Sequence, residues 1–163
     1  MIDTTDNSND TENRAAVILL NPDRTKFLVG HAPNKSWKLP NQWDLVGKGH
    51  IEKTENAIDT IQRELFEESN IDCTDLEKTF IGTVAYQKGL LSLYVVILPD
   101  LNVDIKCQSC FTDNFGKKRP EFTKFEWIDF SQYKQYLYKS LVKAFDTLDI
   151  VNTIQKMTTD GIL

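Results

Sequence analysis

A chain of 163 residues, 40% hydrophobic and 26% charged, is long enough to bury a sizeable core and is ordinary in composition for a folded globular protein. Its formal net charge of −5 speaks against non-specific adhesion to nucleic acid, but leaves nucleotide substrates open because bound cations invert local charge. No apolar run approaches the ~20 residues of a membrane span and no signal peptide opens the chain, so a cytoplasmic protein without membrane partners is expected.

Residues 1–13 are polar with almost nothing to bury and are expected to form a disordered tail, leaving residues 14–163 as one domain. Arg14 to Asn21 is an apolar run ending in the turn signal Asn21-Pro22-Asp23, and Lys26 to Ala32 resumes it. Together they predict a β-hairpin. A loop holding Lys35, Trp37, Lys38 and Pro40 leads into a strand beginning at Trp43. Trp37 and Trp43 are candidates for core anchoring or, alternatively, for stacking on a nucleobase. Gly47 and Gly49 then allow a sharp turn or a close backbone approach.

Between Gly49 and Ile71 a helix is expected, and it is unusually acidic. Glu64, Glu67 and Glu68 fall within an arc about 100° wide on one helical face. Ile58, Ile61 and Leu65 form an apolar stripe beside them. Like charges at i,i+4 destabilise by roughly 0.2–0.5 kcal/mol, and acids near a helix C-terminus oppose the macrodipole. A solvated surface would interleave Lys with Glu. Clustered carboxylates suit a hard divalent cation, which wants oxygen ligands at close quarters; a plain acidic surface is the other reading.

After this helix, Lys78 to Tyr86 and Leu90 to Leu98 predict a second hairpin around Gln87-Lys88-Gly89. Residues 99–123 read as a long polar connection holding Cys107-Gln-Ser-Cys110 and Lys117-Lys118-Arg119. Three cysteines, an odd number, fit a reducing compartment. A structural zinc needs four ligands, so Cys107 and Cys110 are expected as reduced loop thiols. Lys124 to Ile128 alternates as a strand. Leu137, Leu141, Phe145 and Leu148 then recur at helical spacing across Ser131 to Leu148, with a short helix near Val151 to Met157.

The array Gly49-x5-Glu55-x7-Arg63-Glu64-Leu65-x-Glu67-Glu68-x-x-Ile71 resembles the signature box of the Nudix hydrolases. Asn70 stands where that family usually has Gly, at a position resembling a left-handed helix cap, for which Asn is the next best residue. Trp43-Asp-Leu-Val-Gly47-Lys48-Gly49-His50 lacks the usual Pro and resembles the "GH" form of the preceding loop. The resemblance implies an α/β/α sandwich with a mixed central sheet, over roughly residues 14–148. It also implies Mg²⁺, with Mn²⁺ able to substitute, held by Glu64, Glu67, Glu68 and the backbone carbonyl of Lys48 or Gly49. Arg63 would order the box loop through Glu55.

Arg119-Pro120-Glu121-Phe122, followed by Phe125-Glu126-Trp127, is similar to a stretch of RNA 5′-pyrophosphohydrolases and dinucleoside-polyphosphate hydrolases. By that likeness Glu121 is a candidate general base or fourth metal ligand. Lys48, Lys118, Arg119 and Trp43 are candidates for substrate binding. The implied reaction is hydrolysis of a diphosphate linkage in a nucleotide polyphosphate, either a dinucleoside polyphosphate or a triphosphorylated RNA end. Hydrolysis of a nucleotide sugar such as ADP-ribose, and a silent nucleotide-binding module, are the alternatives.

Overall fold

The computed structural model describes residues 12–32 and 43–163. The expectations for the tail up to residue 11, and for the loop with Lys35, Trp37, Lys38 and Pro40, lie outside the described residues. The strands in chain order are β1 (Arg14–Leu20), β2 (Lys26–His31), β3 (Trp43–Leu45), β4 (Lys48–His50), β5 (Thr79–Tyr86), β6 (Gly89–Ile97), β7 (Cys110–Thr112), β8 (Lys118–Pro120) and β9 (Lys124–Asp129). Helix α1 (Ala57–Ser69) follows β4. A 3-10 turn (Phe130–Gln132), α2 (Tyr133–Tyr136), α3 (Lys139–Thr147) and α4 (Ile150–Thr159) follow β9.

Strand β1 is the middle of the molecule. Its uninterrupted apolar run reflects burial on both faces: Ala15, Val17 and Leu19 enter one core, and Ala16, Ile18 and Leu20 enter the other. Along one edge β1 pairs in parallel with β6 over its full length, and β6 in turn pairs with β5 in the second expected hairpin.

The first expected hairpin is different in kind. β1 and β2 pair only beside their turn, at Leu20 and Phe27, and then diverge. β3 continues along β2 while β4 continues along β1, so the chain crosses the fork at Val46 and Gly47. The Val17 amide donates to the Gly47 carbonyl at 3.2 Å, which closes the fork. Gly47 has a φ of +93°, and a Cβ there would stand 2.5 Å from a Val17 methyl. Only glycine meets both demands. β9 lines the outer edge of β2.

One sheet face carries α1, whose Ile61 and Leu65 are fully buried. The other carries α3 and α4 through Leu141, Ala144, Phe145, Ile150 and Ile154. This is the expected α/β/α sandwich with a mixed sheet. Among the described residues no helix is long and apolar enough to cross a membrane.

Three expectations need correction. The helical run from Ser131 to Leu148 breaks at Leu137, which is extended and bridges to Trp43 while still reaching the core. The polar connection folds: β7 and β8 pair antiparallel as a small separate hairpin. The thiols are free, but Cys107 is more than a loop residue, because it is half-buried and its Sγ accepts from the Phe122 amide at 3.4 Å.

Helix α1 ends at Asn70 as expected, and its start is capped as well. Asn56 caps its start by accepting from the Asp59 amide, and Asp59 returns the bond to the Asn56 amide. Asn70 ends it in the left-handed conformation, with φ +68°, and its amide nitrogen donates to the Asp104 carbonyl at 3.2 Å. We expect Asn70→Ala to destabilise the fold by at least the roughly 1–2 kcal/mol that a side chain without local hydrogen bonds loses in this conformation. Asn70→Gly should lie much closer to the wild type. Urea melts of the three proteins check this, and an alanine variant as stable as the wild type would refute it.

Candidate active site

The acidic face of α1 is less exposed than its periodicity suggests. Ile58, expected in the apolar stripe, is 37% exposed, whereas Glu68 is only 6% exposed. Glu68 is drawn in because the fork supplies it with a partner: the Gly47 amide donates to its Oε1 at 2.8 Å. Burial pushes the Glu68 carboxyl well above its ordinary range, and the hydrogen-bonded Glu64 carboxyl beside it pushes further. The Gly47 amide pulls the other way without cancelling this. Glu64 in turn lies against Gly49, where a Cβ would stand 2.3 Å from its carboxyl. Gly49 is thus a bare stretch of backbone under a carboxylate.

Arg63 organises the other side of these acids. Its Nε and Nη2 donate to the two Glu55 carboxylate oxygens at 2.6 and 2.9 Å. Nη1 donates to Glu64 at 2.7 Å and lies 3.5 Å from Glu67, while Nη2 also reaches the His50 carbonyl at 3.2 Å. One guanidinium therefore joins β4, the following loop and α1. The Arg63 hydrogen bonds hold the Glu55 carboxyl down at about 2. Glu67 is 45% exposed at its side chain; partial burial and then Glu64 raise its pKa.

These groups open onto a cleft of about 340 Å³. Glu64, Glu68 and Glu121 line it, as do Gly49, Lys48 and Arg14. Lys48 is held at Asp44 (3.2 Å) and the Tyr86 hydroxyl (3.3 Å). Burial opposes its charge, but Asp44 and Tyr86 outweigh that and keep its pKa above the usual value. Arg14 was not singled out by its sequence context, where it merely opens an apolar run. It enters the cleft because β1 pairs with β4, bringing it opposite His50, whose Nε2 lies 3.3 Å from its guanidinium. The guanidinium also lies over the Tyr86 ring at 5.6 Å.

Several candidates lie off this cleft. Lys118 and Arg119 are exposed on β8, and Arg119 Nε is engaged by Asp113 at 2.6 Å. Trp43 packs edge-on against His31 and Tyr136 over the helical core, the anchoring role rather than a place in the cleft. Glu67 stands beside the cleft without lining it.

Among the described residues no three acidic, imidazole or thiol groups already converge as a finished cation cage. The donors nevertheless suit a hard divalent cation: two carboxylates in contact, bare backbone at Gly49, and Glu121 on the same cleft, all of them oxygen. Burial and the Glu64 carboxyl beside it favour a proton on Glu68. A divalent cation would take that proton's place.

The Glu55–Arg63 pair yields a pH prediction. A carboxyl depressed in the folded state contributes stability above its unfolded value, near 4.5, and loses it as pH falls toward about 2. Glu55→Gln should therefore cost about 1.5–3 kcal/mol at pH 7, the range for hydrogen bonds to charged groups. The gap between variant and wild type should narrow between pH 4.5 and pH 2. Melts across that range check it, and a gap independent of pH would contradict it.

Residues 11–148 match the family model described as the NUDIX domain. The chain is 24% identical over 155 residues to the RNA pyrophosphohydrolase of Pelagibacter ubique (strain HTCC1062), covering 79% of this chain and 87% of that one. It is 31% identical over 116 residues to mRNA decapping complex subunit 2 of Schizosaccharomyces pombe, covering 68% of this chain but 14% of that longer protein. Its fold is similar to the crystal structure of the MutT protein from Methanosarcina mazei Go1, with a TM-score of 0.59, 17% identity, and coverage of 86% and 94%. The chain belongs to the NUDIX family and is a pyrophosphohydrolase acting on nucleotide diphosphate linkages.

Proposed function

We propose that the substrate is a nucleotide polyphosphate, foremost a 5′-triphosphorylated RNA end and otherwise a dinucleoside polyphosphate, cleaved with Mg²⁺. The observation that carries this is one cleft with Glu64, Glu68 and Glu121 among its walls and the cations Arg14 and Lys48 among the same walls. A polyphosphate needs both: carboxylates to hold its metal ions, and fixed positive charge for oxygens the metal does not cover. The two named relatives act, by their names, on RNA. The three free thiols fit a reducing, cytoplasmic setting.

When bound, the divalent cation supplies positive charge beside the diphosphate and a more acidic water. Glu64 and Glu68 would hold it, with the Gly49 carbonyl and Glu67 as further donors, and Mn²⁺ could substitute. Arg63 does not need to touch substrate; engaged with Glu55, Glu64 and the His50 carbonyl, it keeps the loop and the carboxylates in register. Glu121 enters the cleft from a different element, after β8, and would take the proton from outside the acidic helix. Lys48 and Arg14 would bind phosphate oxygens. Lys48 is suited to this because Asp44 keeps it charged although it is largely buried.

Glu68→Gln should abolish most turnover with the fold intact. Glu121→Gln should lower kcat by about 10²–10⁴-fold, the usual contribution of a general base, with little change in KM. The substrate is tested by Mg²⁺-dependent phosphate release from 5′-triphosphorylated RNA, diadenosine tetraphosphate and ADP-ribose. The first two should be cleaved well ahead of the third. ADP-ribose cleaved fastest, or a Glu68→Gln enzyme near wild-type rates, would refute the assignment.

A further inference from the structure

The β7–β8 hairpin carries a feature the reaction in the cleft does not use. At its tip Phe115 is 93% exposed, more than any other large apolar side chain among the described residues. An exposed aromatic on a loose loop would mean little, but this tip is tightly built. The Asp113 carboxylate accepts from the Phe115 and Lys117 amides, both at 2.9 Å, and from Arg119 Nε at 2.6 Å. The Asp113 amide donates to the Lys117 carbonyl, the Gly116 amide returns to Asp113, and Gly116 takes a φ of +77°. The turn is thus held in one shape with the ring directed away from the protein.

The hairpin is also fixed at its base to the reacting parts. The Gln108 amide donates to the Glu67 carbonyl at 2.8 Å, and its side chain donates to the Phe66 carbonyl and to Asn70 at the end of α1. On the return strand the Glu121 amide donates to the Ser109 carbonyl at 3.0 Å, and Glu121 itself lines the cleft. Phe115 is six residues from Glu121, so its backbone is at most about 20 Å away. Residues 113–119 contain Asp113 against Lys117, Lys118 and Arg119, a local charge of +2 in a chain whose total is −5. Both lysines are exposed.

We propose that this hairpin is a docking arm for the single-stranded RNA that trails from the 5′ end in the cleft. Phe115 stacks on a base downstream of the reacting phosphates, and Lys117 and Lys118 hold the flanking backbone. An aromatic platform beside mobile cations is the arrangement that binds single strands without reading their sequence. The whole-chain charge of −5 does not oppose this, because repulsion across more than about 8–10 Å is screened at physiological salt. The inference rests on the RNA-end reading for its biological substrate, but strand binding by the hairpin is measurable separately.

The test uses the full chain and 12-nucleotide RNA with either a 5′-triphosphate or a 5′-hydroxyl end. Phe115→Ala should weaken binding of the 5′-hydroxyl RNA, read by fluorescence anisotropy, by about tenfold, within the range of one lost base–aromatic stack. It should raise KM for the triphosphorylated 12-mer similarly, and leave kcat and the kinetics on a triphosphorylated dinucleotide unchanged. Lys117→Ala/Lys118→Ala should flatten the slope of log affinity against log salt by about 1.4, at ~0.7 per charge on a single strand. Equal KM for wild type and Phe115→Ala on the 12-mer, equal losses on 12-mer and dinucleotide, or a Phe115-dependent dimer in sedimentation would overturn the proposal. Strand binding that needs Phe115 in a protein that leaves triphosphorylated RNA uncut would uphold the arm and refute the substrate reading instead.

Discussion

The hydrogen bond from the Gly47 amide to the buried Glu68 carboxylate is the contact on which the site depends. It joins the fork in the sheet to the acidic helix, and each side explains the other. Without the fork there would be no bare amide at that depth; with Glu68 absent, the amide itself would be buried and unpaired. A buried donor left unsatisfied costs about 1–3 kcal/mol. The glycine is required twice, by its positive φ and by the Val17 methyl 2.5 Å from any Cβ. Gly47 thereby ties the Glu68 carboxyl to the central strand, because its carbonyl accepts from the Val17 amide while its own amide donates to Glu68.

Electrostatics in the rest of the site follow from that placement. Once Glu68 is buried, its negative charge is unfavourable, and Glu64 in contact makes it more so. Arg63 compensates from the outside, on Glu55 and Glu64, and leaves Glu68 beyond its direct reach. The result is a buried Glu68 carboxyl, its pKa raised by its surroundings, beside two carboxylates that Arg63 engages. The cation proposed for this cleft would supply the positive charge that Arg63 does not bring to Glu68.

What could be read in the sequence was local. The Asn70 cap, the contact of Arg63 with Glu55 and the second hairpin each depend on residues near in sequence, and each is present. What could not be read depended on pairing across the chain. Arg14 reaches the cleft only because β1 runs beside β4, a register with no signal in the residues around Arg14. The fork, too, is a competition: β2, β4 and β6 all seek the two edges of β1, and periodicity does not say which segment wins where. Ile58 was misplaced for a related reason, since a helical wheel assigns a stripe but not where the sheet beneath it ends. Lys118 and Arg119 lie next to Glu121 in sequence. The hairpin separates them, since residues on β8 face outward until Glu121 turns back toward the sheet.

That turn at Glu121 has a mechanical consequence. The segment from Gln108 to Phe122 is held at one end by the carbonyls of Phe66 and Glu67 and at the other by Phe122, whose ring fills the space left by Gly30. A Cβ at Gly30 would stand 2.5 Å from that ring, so the strand β2 admits Phe122 only because residue 30 has no side chain. Cys107 adds a third tie through its contact with the Phe122 amide. Glu121 is therefore positioned from both sides by packing that belongs to the same core as Ile61 and Leu65 of the acidic helix. The carboxylates come from elements more than fifty residues apart, yet share one rigid support. In such an arrangement a small shift in the core beneath Phe122 would move Glu121 relative to Glu64 and Glu68, so the precision of the site is a property of that core and not of the loop alone.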